Sequence, residues 1–390
     1  MTTDPFFSLL LNSEWNALIG RQGSSINYAD GYIEAALDLA NLMIKEDRFW
    51  QRDTLVLPIL YNARHSIELH LKLIIEVFVD GGIVKTRHTQ NHDIASHLKF
   101  LRDCNVYDLS LRHLLQDLQP FVESLARIDD DGQELRYSTN RDGKMSLDDR
   151  ALANIVVIRD SLVTLKDILE RTKYRAFELC EEHSTGTHTD CLSRADLFQV
   201  ARMLPKRHLW RENRFDECKA AIMEHFAIGS RQFSAALDKV QEQRQLKAII
   251  GVSTDLVHLG DENALFLAQQ WRVFHPPRQS PAIGIDFFRR DISEIAERRR
   301  IETNALDCIL ARLSSDEIAD AETIYYLARD RNFTESYESN LERKKKEYRA
   351  SGDLEMETFN LMHKTNFLLE FRRGAAMLGR LELENHLKEI

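Results

Sequence analysis

Apolar residues recur at helical spacing along most of the chain, and the polar stretches between them mark its breaks. In residues 30–47, Ile33, Ala36, Leu37, Ala40, Met43 and Ile44 fall on one face, with Asp30 placed to cap the first turn. Residues 54–79 predict a longer helix that starts near Thr54, has Pro58 in its first turn and ends before Gly81-Gly82. A polar loop over 83–92 leads to a short helix for which Asn91 is the expected cap, and another helix is expected over 108–126. The Asp- and Gly-rich stretch 129–146 reads as a loop, with a short strand or hairpin through Leu135 and Tyr137. A long amphipathic helix is expected over 147–181, its stripe formed by Ile155, Ile158, Leu162, Leu165, Ile168 and Leu169.

The Ser/Thr/Gly-rich stretch 183–193 and the proline-rich 275–281 divide the chain into three expected parts. These are a helical bundle over 1–182, a small helix–turn–helix-like module over 183–282 and a long-helix extension over 283–390. Ser193 and Asp196 predict a capping box for the helix that begins at 194. The fold class is therefore all-α, which suits a chain with only 15 Gly and 7 Pro.

Composition narrows the function. The 62 acidic and 52 basic residues give a net charge of −10. That excludes a surface coated uniformly for duplex DNA but leaves room for a local basic groove. The helix–turn–helix-like segment offers only Arg231, Gln232 and Lys239 on its second helix, so sequence-specific DNA binding is not expected. No apolar run reaches the ~20 residues of a membrane span. There is no leader-like start, and five scattered cysteines suit reduced thiols, so a soluble, cytoplasmic protein is expected. P-loop, Rossmann and nucleophile-elbow patterns are missing, which disfavours ATPase, dehydrogenase and α/β-hydrolase chemistry and implies no cofactor. Cys180, His183, His188 and Cys191 have the right types for a tetrahedral zinc, but not a standard finger spacing; a linker with incidental ligands is the favoured reading.

The stretch 61–75 is the most unusual. Arg64, Glu68 and Lys72 lie four apart and share a helix face, with His65 beside them and His70 further round. An ion pair within the helix explains the spacing without any function. The loop Arg87-His88-Thr89-Gln90-Asn91-His92-Asp93 is a second polar cluster, at a helix start where an anion is favoured. It reads equally as a solvated loop that caps the helix. Residues 204–211, with Lys206, Arg207, Arg211 and Trp210, are either a single-strand binding segment or a solvated connection. The basic runs 298–300 and 343–346 sit among acids and read as salt-bridged helices.

Arg64-His65-x-x-Glu68-x-x-x-Lys72, a loop, then His92-Asp93-Ile94-x-x-x-Leu98 resembles the HEPN superfamily, the higher eukaryote and prokaryote nucleotide-binding domains. Leu135-Arg136-Tyr137 resembles an Arg-Tyr turn of a related bacterial group. The resemblance covers residues 30–180. It implies a HEPN-like bundle and a metal-independent endoribonuclease of the bacterial toxin or antiphage-defence type. Such an enzyme leaves a 2′,3′-cyclic phosphate, and its site is often composite, so a homodimer or a partner protein is expected beside the RNA substrate. The family spacing Arg-x4–6-His fits Arg64–His70 and Arg87–His92. No histidine lies between 114 and 182, so the motif does not take the position it has in many family nucleases. The expected catalytic residues are Arg64, His65, His70, Arg87 and His92, with Glu68, Asp93 and Arg136 orienting them or facing phosphate. The alternative is a non-catalytic scaffold or regulator in which Arg64, Glu68 and Arg136 satisfy one another.

Overall fold

The helical periodicity is realised along both halves of the chain. In the computed structural model, residues 6–7, 13–18, 20, 24–89, 91–104, 106–139, 145–147, 152–277 and 292–390 are described. Among them are sixteen α-helices and no strand. Gln90 and residues 278–281 of the proline-rich break lie outside the described residues. No described helix is long and apolar enough to cross a membrane.

The chain divides into two compact units, Met1–Ser184 and Thr185–Ile390. The first contains α1 (Ser25–Lys45), α2 (Arg52–Asp80), α3 (Ile94–Asp103), α4 (Leu109–Ile128) and α5 (Ile155–Ser184). Helix α2 is central and packs on the other four. Its Ile59, Ala63, Ile67, Leu71, Ile74 and Phe78 recur every three or four residues and are almost wholly buried. Each large member of that stripe contributes roughly 1.5–3 kcal/mol by leaving water. Asp108 caps α4 through Leu111 N (2.7 Å) and also accepts from Arg175 Nη2 of α5 (2.7 Å), tying the two helices at one carboxylate.

Several local expectations are corrected. Helix α1 starts at Ser25, so Asp30 lies inside it, and its carboxylate turns to α2 and α5 rather than to a cap. Helix α2 starts at Arg52, which moves Pro58 into the second turn. The cap of α3 is Asp93, whose Oδ1 accepts from Ser96 N at 3.0 Å; Asn91 instead accepts from Asp93 N. Helix α5 begins at Ile155, not 147, and residues 148–151 lie outside the described residues. Leu135 sits in a turn, not a strand, because Arg136 N and Tyr137 N both donate to Gln133 O.

The second unit contains α6 (Arg194–Met203), α7 (Asn213–Phe226), α8 (Ser230–Glu242), α9 (Arg244–Ile249) and α10 (Asp261–Phe274). It continues with α11 (Ile292–Arg312), α12 (Ser315–Arg329), α13 (Tyr337–Ser351), α14 (Leu354–Met362), α15 (Phe367–Met377) and α16 (Leu381–Lys388). The Ser193–Asp196 capping box opens α6. Leu267, Trp271 and Phe274 of α10 share a core with Ile309, Ile324 and Phe371, so the core draws on both sides of the 275–281 break. Helices α12 and α15 pack closely because Gly374 has no Cβ to meet the Ile324 carbonyl.

Candidate functional site

Arg64 lies in the middle of α2 and is only 1% exposed. A buried guanidinium needs its N–H groups satisfied, and here the chain supplies four acceptors. Nη1 donates to Glu68 Oε2 (3.0 Å) and Nε to the Asp129 carbonyl (2.7 Å). Nη2 donates to two carbonyls, those of His92 (2.6 Å) and Asp130 (3.0 Å). One side chain thus holds together α2, the turn before α3 and the loop after α4. Gly132 fits beside it with φ +82°, and a Cβ there would stand 3.3 Å from Nη1. The Asp129 carboxylate folds the same loop by accepting from Glu134 N (3.1 Å).

Glu68, one turn on, is 2% exposed. Its Oε1 accepts from Lys72 Nζ (2.7 Å) and from His92 Nδ1 (2.8 Å). His65 Nδ1 stands 3.9 Å from Oε2, an electrostatic contact rather than a hydrogen bond. Burial alone would raise the Glu68 pKa, but the surrounding His65, Lys72 and His92 outweigh it and hold the carboxyl well below its usual range. Glu68 is therefore an ionised group sealed inside the bundle.

His92 faces the other way: its side chain is 67% exposed. A carboxylate can only accept, so the Nδ1–Glu68 bond places the proton on Nδ1 and leaves Nε2 as the outward lone pair of the neutral ring. Beside this pair, His65 is stacked on Tyr61 (5.7 Å between centroids) and meets the edge of Tyr32 (4.4 Å). Arg136 is exposed, donates from Nε to Gly132 O (2.6 Å) and lies over the rings of Tyr61 (5.7 Å) and Tyr137 (5.5 Å). Among the described residues it has no carboxylate partner.

The expected site residues thus separate. Glu68, His65 and His92 come together, and Arg136 joins their rim through Tyr61. Arg64 does not face a phosphate, because it is buried and four of its five N–H donors are spent on the protein; it positions His92 and the Arg136 loop instead. His70 is also removed from any solvent-reachable role. It is 1% exposed; in the neutral ring Nε2 donates to Asp30 Oδ1 (3.1 Å) and Nδ1 lies beside Ser66 Oγ (3.2 Å), and Lys173 Nζ (2.6 Å) holds Asp30 in turn. Asp93 spends one carboxylate oxygen on its cap. Arg87 is exposed and lines a cleft of about 360 Å³ with Lys72, Glu76, His88 and His97. Burial holds His97 near pKa 4, so its ring is neutral. Arg64 and Glu68 satisfy one another, and Arg136 does not join them.

Among the described residues no group of three or more His, Cys, Asp or Glu side chains is arranged to hold a metal ion. Cys180, one of the four zinc candidates, donates instead to Val77 O (3.4 Å). Sequence reasoning missed Asp129, Gly132 and Tyr61 as parts of the site. The Asp-Gly turn was visible, but nothing in the sequence shows which arginine, 65 residues away, that turn wraps. No family model matches the chain, and no curated protein or solved structure does so either.

Proposed function

We propose that this face binds RNA and cleaves it without a metal, with His92 as the acid–base group. The observation that carries the reading is the pairing of an outward imidazole with an ionised carboxylate sealed behind it. Arg64 and Lys72 already balance the Glu68 charge, so the His92 bond is not needed to make the burial of Glu68 tolerable. Its effect is to fix the ring and its tautomer. In the reaction, His92 Nε2 takes the proton of a ribose 2′-hydroxyl as that oxygen attacks the adjacent phosphorus. The P–O5′ bond breaks, and the leaving oxygen takes a proton from His65 or water. The products are a 2′,3′-cyclic phosphate and a 5′-hydroxyl. Arg136 is the guanidinium available to the charge that builds on phosphate, and the rings of Tyr61 and Tyr137 offer stacking surface to bases. The resemblance to HEPN ribonucleases of toxin and antiphage-defence systems points the same way, and a second copy is the expected source of further site residues.

The test is incubation of the purified chain with total RNA in EDTA, reading product ends for cyclic phosphate. His92→Ala and Glu68→Gln are expected to lower the rate by ~10²–10⁴-fold, the usual worth of positioned acid–base groups. His70→Gln, on the sealed side of α2, is expected to keep it. Equal cleavage by the His92→Ala chain, or none by the intact chain, overturns the enzyme and leaves an interaction scaffold.

A further inference from the structure

The second unit carries a basic ridge that the proposed reaction does not use. Between residues 202 and 214 there are five basic residues, Arg202, Lys206, Arg207, Arg211 and Arg214, against one acid, Glu212, in a chain of net charge −10. All five are exposed. Among the described residues none of them makes an ion pair. Elsewhere in the same unit the usual state of an arginine is paired: Arg194 with Glu335 (2.8 Å), Arg244 with Glu338 (2.8 Å), Arg343 with Glu347 (2.8 Å). In the basic runs at 298–300 and 343–346 most members are paired, through bonds such as Arg300–Glu297 (2.7 Å) and Lys345–Glu342 (3.0 Å), Arg299 and Lys346 being the exceptions.

The ridge is also pinned. Arg207 N donates to Ile250 O (2.7 Å) and Lys206 Nζ to Ile249 O (3.0 Å). The Lys206 stem crosses Gly251, where φ is +80° and a Cβ would stand 3.0 Å from the lysine Cδ. The Trp210 indole N–H donates to Pro205 O (2.9 Å), and the ring packs against Phe215 at 5.2 Å. The Arg207 guanidinium lies 4.4 Å from the Trp210 ring centroid. A solvated connection would need none of this anchoring. Fixing the backbone beneath unpaired cations lowers the ordering cost of binding an anionic partner.

We infer that residues 202–214 form a binding ridge for the phosphodiester backbone of a single-stranded nucleic acid. The partner must be polyanionic, because five like charges spaced along one short segment meet repeated negative charge better than a single carboxylate or phosphate. A strand fits better than a duplex, since the ridge is short and the rest of the chain is acidic. A strand also fits better than an acidic peptide. The planar Arg207 guanidinium, backed by an indole, presents a flat cationic face on which a base stacks. The inference stands apart from the reading of His92.

The test uses the full chain carrying His92→Ala, so that no strand is cut, and a fluorescent oligouridine of about 16 nucleotides. Binding is followed by anisotropy over a salt series. Reversal of Arg207, Arg211 and Arg214 to Glu is expected to weaken binding roughly tenfold or more. It is also expected to lower the slope of log K against log salt by about 2, at ~0.7 per phosphate released. These side chains are exposed, so the thermal melt should stay in place, and oligoglutamate should compete poorly. Unchanged affinity and slope, no binding by the parent chain, or competition by oligoglutamate equal to that of RNA would each overturn the ridge.

Discussion

Helix α2 carries two buried charged clusters made of the same chemical parts, and they are built inside out relative to each other. On one side the carboxylate of Glu68 is sealed at 2% exposure and the imidazole it holds, His92, stands outside at 67%. On the other, the imidazole of His70 is sealed at 1% and the carboxylate it meets, Asp30, is the partly open member. Each cluster also contains a buried cation, Arg64 or Lys173. A buried cation, carboxylate and imidazole at hydrogen-bond distance are therefore not sufficient for a site. What distinguishes the Glu68 side is which group reaches water. An outward nitrogen backed by a fixed anion can exchange a proton with a ligand, whereas a sealed one can only join helices.

The sharpest way to break this comparison is to remove the two cations. Arg64→Leu leaves the Glu68 and Asp129 carboxylates without their shared partner and frees three carbonyls. It is expected to cost ~3–5 kcal/mol of unfolding free energy in urea, the usual penalty for one half of a buried pair. Lys173→Met is expected to cost less, because Asp30 keeps its bond to His70 and is already open to water. If Lys173→Met proved the more damaging change, Arg64 would not be the residue that holds this bundle together.

Acid titration separates the same clusters by window. Burial, opposed by weaker favourable contacts to Ser66 and Asp30, pushes the His70 pKa below its ordinary value. The unfolded chain then binds a proton at His70 first. The stability due to its neutral form is present above ~6.5 and lost as pH falls through the lower, folded pKa. Glu68 is a depressed carboxylate. Its contribution is present above the unfolded pKa of ~4.3 and lost only as pH falls further. Stability measured by denaturant at a series of pH values should therefore show a shallower upper slope in His70→Gln, the remainder belonging to His97, and a shallower lower slope in Glu68→Gln, where depressed carboxylates such as Glu335 remain. Identical profiles for the two variants would show that the clusters are not electrically distinct.

The helices and their apolar faces were legible because periodicity is a local property: Ile67, Leu71 and Ile74 mark the buried face of α2 in any fold that uses it. The Arg64–Glu68–Lys72 ladder was legible for the same reason, since four-residue spacing fixes neighbours on a helix. The division between His92 and His70 was not. Both match an Arg-x4–6-His pattern, and their opposite fates depend on α1 and α5 covering one flank of α2 while the other flank opens at the turn before α3. Arg136 shows the same limit. Its sequence neighbours suggested a turn, but its place over Tyr61 depends on Arg64 gripping the Asp129 and Asp130 carbonyls. Contacts across long separations are set by the packing of whole helices, which no short motif encodes.

The smallest expected effect concerns Asp93, which the sequence marks as a group that orients the site or faces phosphate. Its Oδ1 accepts from Ser96 N (3.0 Å), while Ser96 Oγ donates back to its carbonyl (2.9 Å) and Asn91 Oδ1 takes its own N–H (3.1 Å). The turn that carries His92 is thus held by several bonds, and His92 itself by Arg64 at its carbonyl and Glu68 at its ring. Asp93→Ala should therefore cost only about 1 kcal/mol, the usual worth of an N-cap, and leave RNA cleavage within about twofold, since a cap acts on helix stability and not on the reacting atoms. A loss of cleavage tenfold beyond that would put the Asp93 carboxylate on the ligand side of the turn. The Glu68 flank would then have two outward groups, His92 and Asp93, and the contrast with the His70 flank would no longer rest on the imidazole alone.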